Sequence, residues 1–288
     1  MTHTGFFGNV GNTPLIKISK QLYAKLETYN PTGSIKDRMI AYVVKRAQER
    51  DEFGENTTFI EATSGNTGIA LAAAGAALGN PVKIIMPCNM SEERKQLMRA
   101  FGAEVVEVGH SDFQGAINLR DQMMLTGGDV WSPMQFENLD NVACHRETTG
   151  PEIHIQLDPN QPWSGFVGGA GTGGTMMGMW EHKEKSKFLN YRCVLVVPEE
   201  DAQNHGIQGI NDGQDFLLDP AKMDDVMKVS TADAIERARR LAQENGLLVG
   251  ISAGANVLAA ERWIAKRRPA GAVVTILCDR GERYLSCS

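Results

Sequence analysis

Short apolar runs alternate with helix-like stretches along most of this chain. The apolar runs are TFIEA (58–62), VKIIMP (82–87), AEVVEV (103–108), GFVGG (165–169), CVLVVPEE (193–200), LLVGIS (247–252) and AVVTILCD (272–279). Helical patterns such as GIALAAAGAALG (68–79), SEERKQLMRAFG (91–102) and FQGAINLRDQMMLTGG (113–128) lie between several of them. Strands that alternate with helices are joined by crossover connections and form a parallel sheet. The sequence therefore predicts an α/β fold whose ligands bind beyond the carboxyl ends of the strands.

The length of the chain favours two lobes. It has 288 residues, enough for more than one hydrophobic core. ISKQLYAKLE (18–27) predicts a strand or hairpin before the first long helix. We place one lobe at 35–145 and the other at 1–34 together with 146–288.

Charge and cysteine content exclude several classes of protein. The formal net charge is −6, so the chain lacks the excess of positive charge that is typical of nucleic-acid-binding proteins. No apolar run approaches the roughly 20 residues of a membrane span, and the first residues lack a signal-peptide pattern. The five cysteines form no CxxC pair, and the histidines have no metal-ligand spacing. We expect a reduced, cytoplasmic protein without a metal site.

The turn NPTGS (30–34) precedes a predicted helix with a lysine in its first turn. Ser34 and Asp37 fit a capping box, so the helix should begin at about Ile35. Lys36 then lies where the helix dipole is positive, which lowers the pKa of a lysine and favours its free amine. A free amine can form a Schiff base and move a proton. Taken alone, Lys36 is more simply interpreted as a solvated lysine.

Two further loops combine a strand, a small-residue turn and a helix. The loop in EATSGNTGIALA (61–72) would present backbone N–H groups and hydroxyls at a helix N-terminus, which suits a carboxylate, although an ordinary capped turn explains it equally well. The loop in GFVGGAGTGGTMMG (165–178) predicts a phosphate nest. It also contains GxGxxG at Gly169, Gly171 and Gly174, so a dinucleotide site stays open, although the expected acidic residue is poorly placed.

Two residues follow later apolar runs. Ser252 should end a strand and precede a helix, where it is either an N-cap or a hydroxyl directed into the site. Cys278 should lie at the same sheet edge, and we count it among the cofactor-binding residues, although a buried inert cysteine is the usual interpretation.

Six motifs together resemble the cysteine synthase family of pyridoxal-phosphate (PLP) enzymes, with a B-type-like pattern. They are GNTPL (11–15), NPTGSIKDR (30–38), ATSGNTG (62–68), GTGGT (171–175), GISAGA (250–255) and GERYLS (281–286). The resemblance implies the two-lobed tryptophan-synthase-β-like fold, fold-type II. In that fold helices flank parallel sheets and the site lies in the cleft between the lobes.

The resemblance also implies a role for each matched residue. Lys36 would be the Schiff-base lysine and the acid–base group at Cα, Asn66 would contact the 3′ oxygen of PLP, and Ser252 would hydrogen-bond the pyridine nitrogen. The phosphate would be held by Gly171, Thr172, Gly173, Gly174 and Thr175. The substrate would be held by Thr63, Ser64, Gly65, Thr67 and Gln135, with Gly209 and Asn211 in a loop lining the site.

The implied reaction is β-replacement on O-acetyl-L-serine by sulfide, giving L-cysteine and acetate. Arginine binds a phosphate or thiosulfate well, because its guanidinium can donate two parallel hydrogen bonds. This chain has Asn211 where B-type relatives carry arginine, which weakens the case for O-phosphoserine or thiosulfate as a substrate. The alternatives are a cystathionine β-synthase-type reaction of serine with homocysteine, a serine or threonine dehydratase, an NAD(P)-dependent oxidoreductase and an inactive binding protein. We expect a homodimer, and serine acetyltransferase is a further candidate partner because A-type relatives bind it.

Overall fold

The protein is described here from a computed structural model, which covers residues 5–285 apart from 187, 203 and 211–213. The chain divides into two compact units. Unit 1 comprises the described parts of Met1–Val10, Asn30–Met134 and Arg283–Cys287. Unit 2 comprises the described parts of Gly11–Tyr29 and Gln135–Glu282.

The regular elements alternate as the sequence predicts. The strands are β1 (Leu15–Lys17), β2 (Leu22–Leu26), β3 (Thr58–Ala62), β4 (Val82–Pro87), β5 (Glu104–Val108), β6 (Val130–Trp131), β7 (Trp163–Gly169), β8 (Arg192–Pro198), β9 (Asp225–Val229) and β10 (Ala272–Leu277). The α-helices are α1 (Lys36–Glu49), α2 (Asn66–Leu78), α3 (Glu92–Ala100), α4 (Phe113–Thr126), α5 (Asp140–Cys144), α6 (Gly150–Gln156), α7 (Gly174–Lys185), α8 (Thr231–Asn245) and α9 (Ile251–Arg267). A π-helical turn at His145–Thr149 separates α5 from α6.

Unit 1 is built on a parallel sheet with the strand order β5-β4-β3-β6. Its core includes Phe59 of β3 and Ile84 of β4, both fully buried. Helix α2 is rich in alanine and buried over most of its length, because small side chains let its backbone approach the sheet closely. A Cβ on Gly75 of α2 would lie only 2.2 Å from Val82. This packing fixes the position of the loop between β3 and α2.

Unit 2 is built on a sheet with the strand order β1-β2-β10-β7-β8-β9. All its neighbouring strands are parallel except β1 and β2, which form an antiparallel hairpin; of its two strands only β2 lies within 18–27, where a strand or hairpin was predicted. Helix α9 packs on this sheet, and its Trp263 is almost fully buried in the core. The carboxyl ends of the central strands β10 and β7 carry Cys278 and the glycine loop.

Two local predictions fail in unit 2. No strand forms over 247–252, because Val249 makes only an isolated bridge to Arg280 and α9 begins at Ile251. Val249 packs into the core, with Leu247 and Ile251 against it, whereas Leu248 is 48% exposed. Strand β9 was not predicted, because this edge strand alternates Asp225 and Lys228 with apolar residues and contains no continuous apolar run.

The units divide at different points from the lobes placed on sequence. Residues 30–34 and the N-terminal residues group with unit 1, where Phe6 is buried among the core side chains. Residues 135–145 group with unit 2, because α5 packs against α7 and Asn141 bonds to Thr172. No helix in the part of the chain described here is long and apolar enough to cross a membrane.

Candidate active site

Lys36 is the first residue of α1, as predicted, and its side chain is half-buried. The preceding turn closes through Gly33, whose N–H donates to the Asn30 carbonyl at 2.8 Å and whose φ of +87° favours glycine. Thr32 of the same turn donates its backbone N–H to Asp37 at 2.7 Å, and its hydroxyl donates to the same carboxylate. The turn before Lys36 is therefore held by a buried carboxylate.

The predicted capping box does not form. The Ser34 hydroxyl accepts from the backbone N–H of Lys36 at 3.3 Å. The carboxylate of Asp37 accepts from Thr32, and the backbone N–H of Asp37 donates to the Ser34 carbonyl at 3.3 Å. The helix still begins within one residue of the predicted position. The carboxylate stabilises the turn instead of completing the cap, because the tight turn brings the Thr32 donors within its reach.

The loop after β3 contains the predicted carboxylate-binding residues. Thr63 accepts a hydrogen bond from the N–H of Gly65 at 3.1 Å, and α2 begins at Asn66. A Cβ on Gly65 would lie 2.5 Å from the Arg94 side chain. Thr63 and Thr67 are buried, whereas Ser64 and Asn66 are half-buried. The loop thus follows a strand end and opens a helix, a geometry that suits an anion such as a carboxylate.

The glycine loop of unit 2 joins β7 to α7 and leaves no room for larger residues. A Cβ on Gly171 would lie 2.6 Å from the Gly209 carbonyl oxygen, and one on Gly174 would lie 2.0 Å from Asn141 Oδ1. Gly173 has a φ of +89°, and a Cβ there would lie 2.4 Å from the backbone nitrogen of Leu218. These glycines are required by close backbone approach as well as by conformation.

Asn141 supports the hydroxyl of Thr172 in this loop. The side chain of Asn141 is almost fully buried, and its Nδ2 donates to Thr172 Oγ1 at 3.0 Å and to the Gln135 carbonyl at 2.9 Å. The N–H of Gly174 also approaches Thr172 Oγ1, at 3.4 Å. Because this oxygen accepts from two donors, the hydroxyl proton of Thr172 is directed elsewhere and can be donated to an anion.

His145 plays a similar part for Thr175. Its ring is buried in the π-helical turn, with Nδ1 at 2.9 Å from Thr149 Oγ1 and Nε2 at 3.2 Å from Thr175 Oγ1. If Nε2 carries the proton, it donates to Thr175 and Nδ1 accepts from Thr149. The Thr175 hydroxyl is then also free to donate its proton to an anion. π-Helical turns occur frequently at functional sites.

Asn256 joins the glycine loop to the end of β10. Its Oδ1 accepts from the N–H of Gly169 at 2.9 Å, and its Nδ2 donates to the Ile276 carbonyl at 3.1 Å and approaches Cys278 Sγ at 3.5 Å. Ser252 is the second residue of α9 and is 5% exposed, so it lies inside the helix and is not the N-cap. The cap position belongs to Gly250, whose N–H donates to the Asp279 carbonyl at 3.1 Å.

The remaining predicted residues lie in or beside the same unit 2 loops. Gln135 is 3% exposed, and its carbonyl accepts from Asn141. Gly209 is exposed with a φ of +83°, and the next residue, Ile210, packs against Gly169. Asn211 lies outside the described residues.

Sequence reasoning missed the residues that support these loops. They are Asn141, His145, Asn256 and Arg283. Each acts through a partner from a distant part of the chain, so no local spacing identifies it. Only Arg283, within GERYLS, and Asn256, directly after GISAGA, lie within or beside the quoted motifs.

Comparisons with known proteins agree with this geometry. A family model described as "Pyridoxal-phosphate dependent enzyme" matches residues 6–279. Cysteine synthase B of Campylobacter jejuni is 40% identical, with 96% of this chain and 95% of that protein covered. Among solved structures, cysteine synthase (OASS) of Entamoeba histolytica has a TM-score of 0.89 and 34% identity, covering 98% of this chain and 88% of that one. The O-acetylserine dependent cystathionine beta-synthase of Helicobacter pylori has a TM-score of 0.88 and 34% identity, covering 99% and 98%.

These similarities extend over both units, and the family match of residues 6–279 contains five of the six motifs, all except GERYLS. The structural relatives share the fold as well as the sequence pattern, with helices flanking parallel sheets. The protein is therefore a PLP-dependent enzyme of fold-type II and belongs to the cysteine synthase family.

Proposed function

We propose that this enzyme converts O-acetyl-L-serine and sulfide into L-cysteine and acetate. The observation that carries the proposal is the glycine loop of 171–175. A phosphate needs several hydrogen-bond donors around it, and this loop offers a concave backbone together with the hydroxyls of Thr172 and Thr175. Cβ atoms on Gly171 or Gly174 would fill the space against their neighbours, and Thr172 already accepts two hydrogen bonds. This donor set fits the dianionic phosphate of PLP.

Each predicted residue has a task in this proposal. Bound PLP supplies an electron sink for the charge left at Cα. Lys36 would hold the cofactor covalently through its amine, and once the substrate amine has taken its place the freed Lys36 amine would remove the proton from substrate Cα and later return it. The Ser252 hydroxyl bonds the ring nitrogen, and Asn66 bonds the 3′ oxygen. Cys278 lines the cofactor site at the end of β10.

The substrate is held by the loop after β3. Thr63, Ser64, Gly65 and Thr67 bind its carboxylate together with Gln135, and Gly209 and Asn211 belong to the loop that lines the site. In the reaction the Cβ–O bond to the acetate breaks and the electron pair leaves with the acetate. A Cβ–S bond to sulfide then forms. Because acetate leaves before sulfide adds, we expect ping-pong kinetics.

Family membership replaces the dinucleotide interpretation of Gly169, Gly171 and Gly174. Glu200, the second of the two acidic residues that follow β8, has a different use. Glu200 Oε1 accepts from the backbone N–H of Thr231 at 2.8 Å and caps α8. This bond holds the pKa of Glu200 below its ordinary value.

A product assay tests the proposed reaction. Purified holoenzyme is supplied either with O-acetyl-L-serine and sulfide or with serine and homocysteine, and cysteine, acetate and cystathionine are quantified. We expect equal amounts of cysteine and acetate from the first pair. In Lys36→Ala we expect loss of the absorbance of covalently bound PLP and of turnover. Turnover of only the second pair would contradict the proposal and assign a cystathionine-forming reaction.

We also propose that the enzyme is a cytoplasmic homodimer that binds serine acetyltransferase. Homodimers are the commonest closed assemblies, and the described cysteines are all free thiols, which supports a reducing compartment. Light scattering tests the dimer. Titration with the C-terminal peptide of a serine acetyltransferase tests the partner. A monomer at working concentration, or no binding, would contradict the corresponding part.

A further inference from the structure

Arg283 is a buried cation that the proposed reaction does not use. Its residue is only 3% exposed, and it belongs to unit 1 although it lies near the end of the described chain. Its backbone carbonyl accepts from Ser91 Oγ at 3.3 Å, which holds the segment against α3. The next residue, Tyr284, stacks on Arg94, with the guanidinium carbon 4.8 Å from the ring centroid. The position of the side chain is thus fixed by its neighbours.

The guanidinium of Arg283 makes two directed hydrogen bonds. Nη1 donates to Oδ1 of Asn66, and Nη2 donates to the backbone carbonyl of Thr32. Asn66 opens α2, and Thr32 lies in the turn that leads into Lys36. One planar group therefore ties together the two loops of unit 1 to which the proposed function assigns cofactor contacts.

The chemistry of arginine fixes the orientation of the Asn66 amide. An asparagine amide can be turned so that either its oxygen or its nitrogen faces a given neighbour. A guanidinium has donors and no acceptor, so only the amide oxygen can face Arg283. The Nδ2 donor is then directed away from the arginine. With the opposite orientation the amide would present an acceptor to the 3′ oxygen of PLP, which would be repulsive when that oxygen is anionic.

We infer that Arg283 is a positioning residue that orients Asn66 to donate to the cofactor's 3′ oxygen and holds the turn before Lys36 in register with it. The inference rests on the proposed roles of Asn66 and Lys36. A donor to an oxyanion favours its charged form. Loss of the orientation therefore raises the fraction of bound cofactor that is protonated on the ring oxygen.

The variant Arg283→Lys tests this role. A lysine ammonium keeps the positive charge but lacks the planar guanidinium, whose two nitrogens donate to Asn66 and Thr32 at the same time. In the absorbance spectrum of the holoenzyme, we expect a stronger band from the cofactor form that is protonated on the ring oxygen. We also expect the pH at which this band changes to shift. We expect kcat to fall roughly 10- to 100-fold, as for other residues that orient a directly binding group, with a smaller change in KM. Arg120→Lys is the matched control, since Arg120 is a buried arginine of unit 1 paired with Glu61 at 3.3 Å. It should lower thermal stability and leave the spectrum unchanged.

A double-mutant cycle separates orientation from general stability. In an Asn66→Ala background, Arg283→Lys should cause no further spectral shift, because the oriented group is already missing. A wild-type spectrum in Arg283→Lys, or a full additional shift in the double variant, would overturn the inference. Absence of any PLP band in the wild-type protein would instead contradict the proposed function.

A structure of the wild-type holoenzyme tests the inference without any variant and decides it should Arg283→Lys fail to fold. We expect Arg283 Nη1 within hydrogen-bond distance of Asn66 Oδ1, and Asn66 Nδ2 facing the 3′ oxygen. An arginine directed away from Asn66 would overturn the inference.

Discussion

Single side chains outside the glycine loop of 171–175 decide how that loop is built. The Thr172 hydroxyl can donate to a phosphate because Asn141 and the N–H of Gly174 occupy its acceptor sites. A threonine without these donors would rotate its hydroxyl among several orientations. The supporting amide thus converts an ordinary hydroxyl into a directed donor.

Asn141→Ala should therefore weaken cofactor retention. The substitution removes the donor to Thr172 and leaves the Gln135 carbonyl without this partner, and we expect the PLP dissociation constant to rise about 10-fold, or about 1.4 kcal/mol. Equilibrium dialysis of the holoenzyme measures the change. Asn160→Ala is the control, since Asn160 lies in an exposed turn of the same unit. Equal retention by both variants would contradict the supporting role of Asn141.

At the scale of elements, helix α7 carries the glycine loop at its start and a titratable histidine near its end. Burial, and secondarily His154, lower the pKa of His182 to about 4. Tyr191 donates its hydroxyl to the Met179 carbonyl at 2.6 Å, so it accepts from His182 Nδ1 at 3.1 Å. The folded protein therefore holds His182 neutral, with the proton on Nδ1.

The folding free energy should depend on this histidine between about pH 6.5 and pH 4. Because the unfolded chain binds the proton first, the stability is complete above pH 6.5 and is lost as the pH falls toward 4. His182 is only partly buried, so solvent screening limits the loss to about 1–2 kcal/mol. Denaturant titrations at several pH values should show a flatter dependence in His182→Gln, whereas His110→Gln, at an exposed histidine, should match the wild type. If the folding free energy of His182→Gln depended on pH as steeply as that of the wild type, the assignment to His182 would be contradicted.

The elements that could be predicted were those with a continuous apolar pattern. β4 has the predicted bounds, and α2 differs from its predicted bounds by only one or two residues at each end, because buried parallel strands and core helices are apolar on every face that packs. The strand predicted over 247–252 failed because Val249 packs into the core with only an isolated bridge to Arg280. β9 was missed because an edge strand needs only one buried face. The local pattern of apolar residues therefore indicates which residues are buried more directly than it indicates which strands pair.

For the whole molecule, the lysine and the glycine loop could be located from sequence, but their supports could not. Lys36 and Gly171–Thr175 are marked by turn residues and helix starts within a few positions. Arg283 lies 217 positions from Asn66, and Asn141 lies 31 from Thr172. No periodicity or capping rule acts over such separations, so only the folded chain brings these pairs together.

Cofactor binding should also stabilise unit 2 as a whole, and a buried thiol reports it. Cys193 of β8 is fully buried, and burial raises the pKa of its thiol to about 12, so it should react with an alkylating reagent only when the unit unfolds. A ligand at 100 times its dissociation constant stabilises the folded state by about 2.7 kcal/mol. Labelling of Cys193 should then be about 100-fold slower in the holoenzyme than in the apoenzyme, provided that the unfolded unit refolds faster than the reagent alkylates the thiol.

Mass spectrometry of alkylated peptides measures this protection, with Cys88 as the internal control. Cys88 is exposed, so it should label at the same rate in both forms because its reaction needs no unfolding. Equal labelling of Cys193 in both forms would mean that the cofactor does not stabilise unit 2, and would contradict the placement of its phosphate at Gly171–Thr175. At the same PLP concentration, protection of Cys193 that falls from about 100-fold to about 10-fold in Asn141→Ala would link the stability of the unit to the Asn141 amide that supports Thr172.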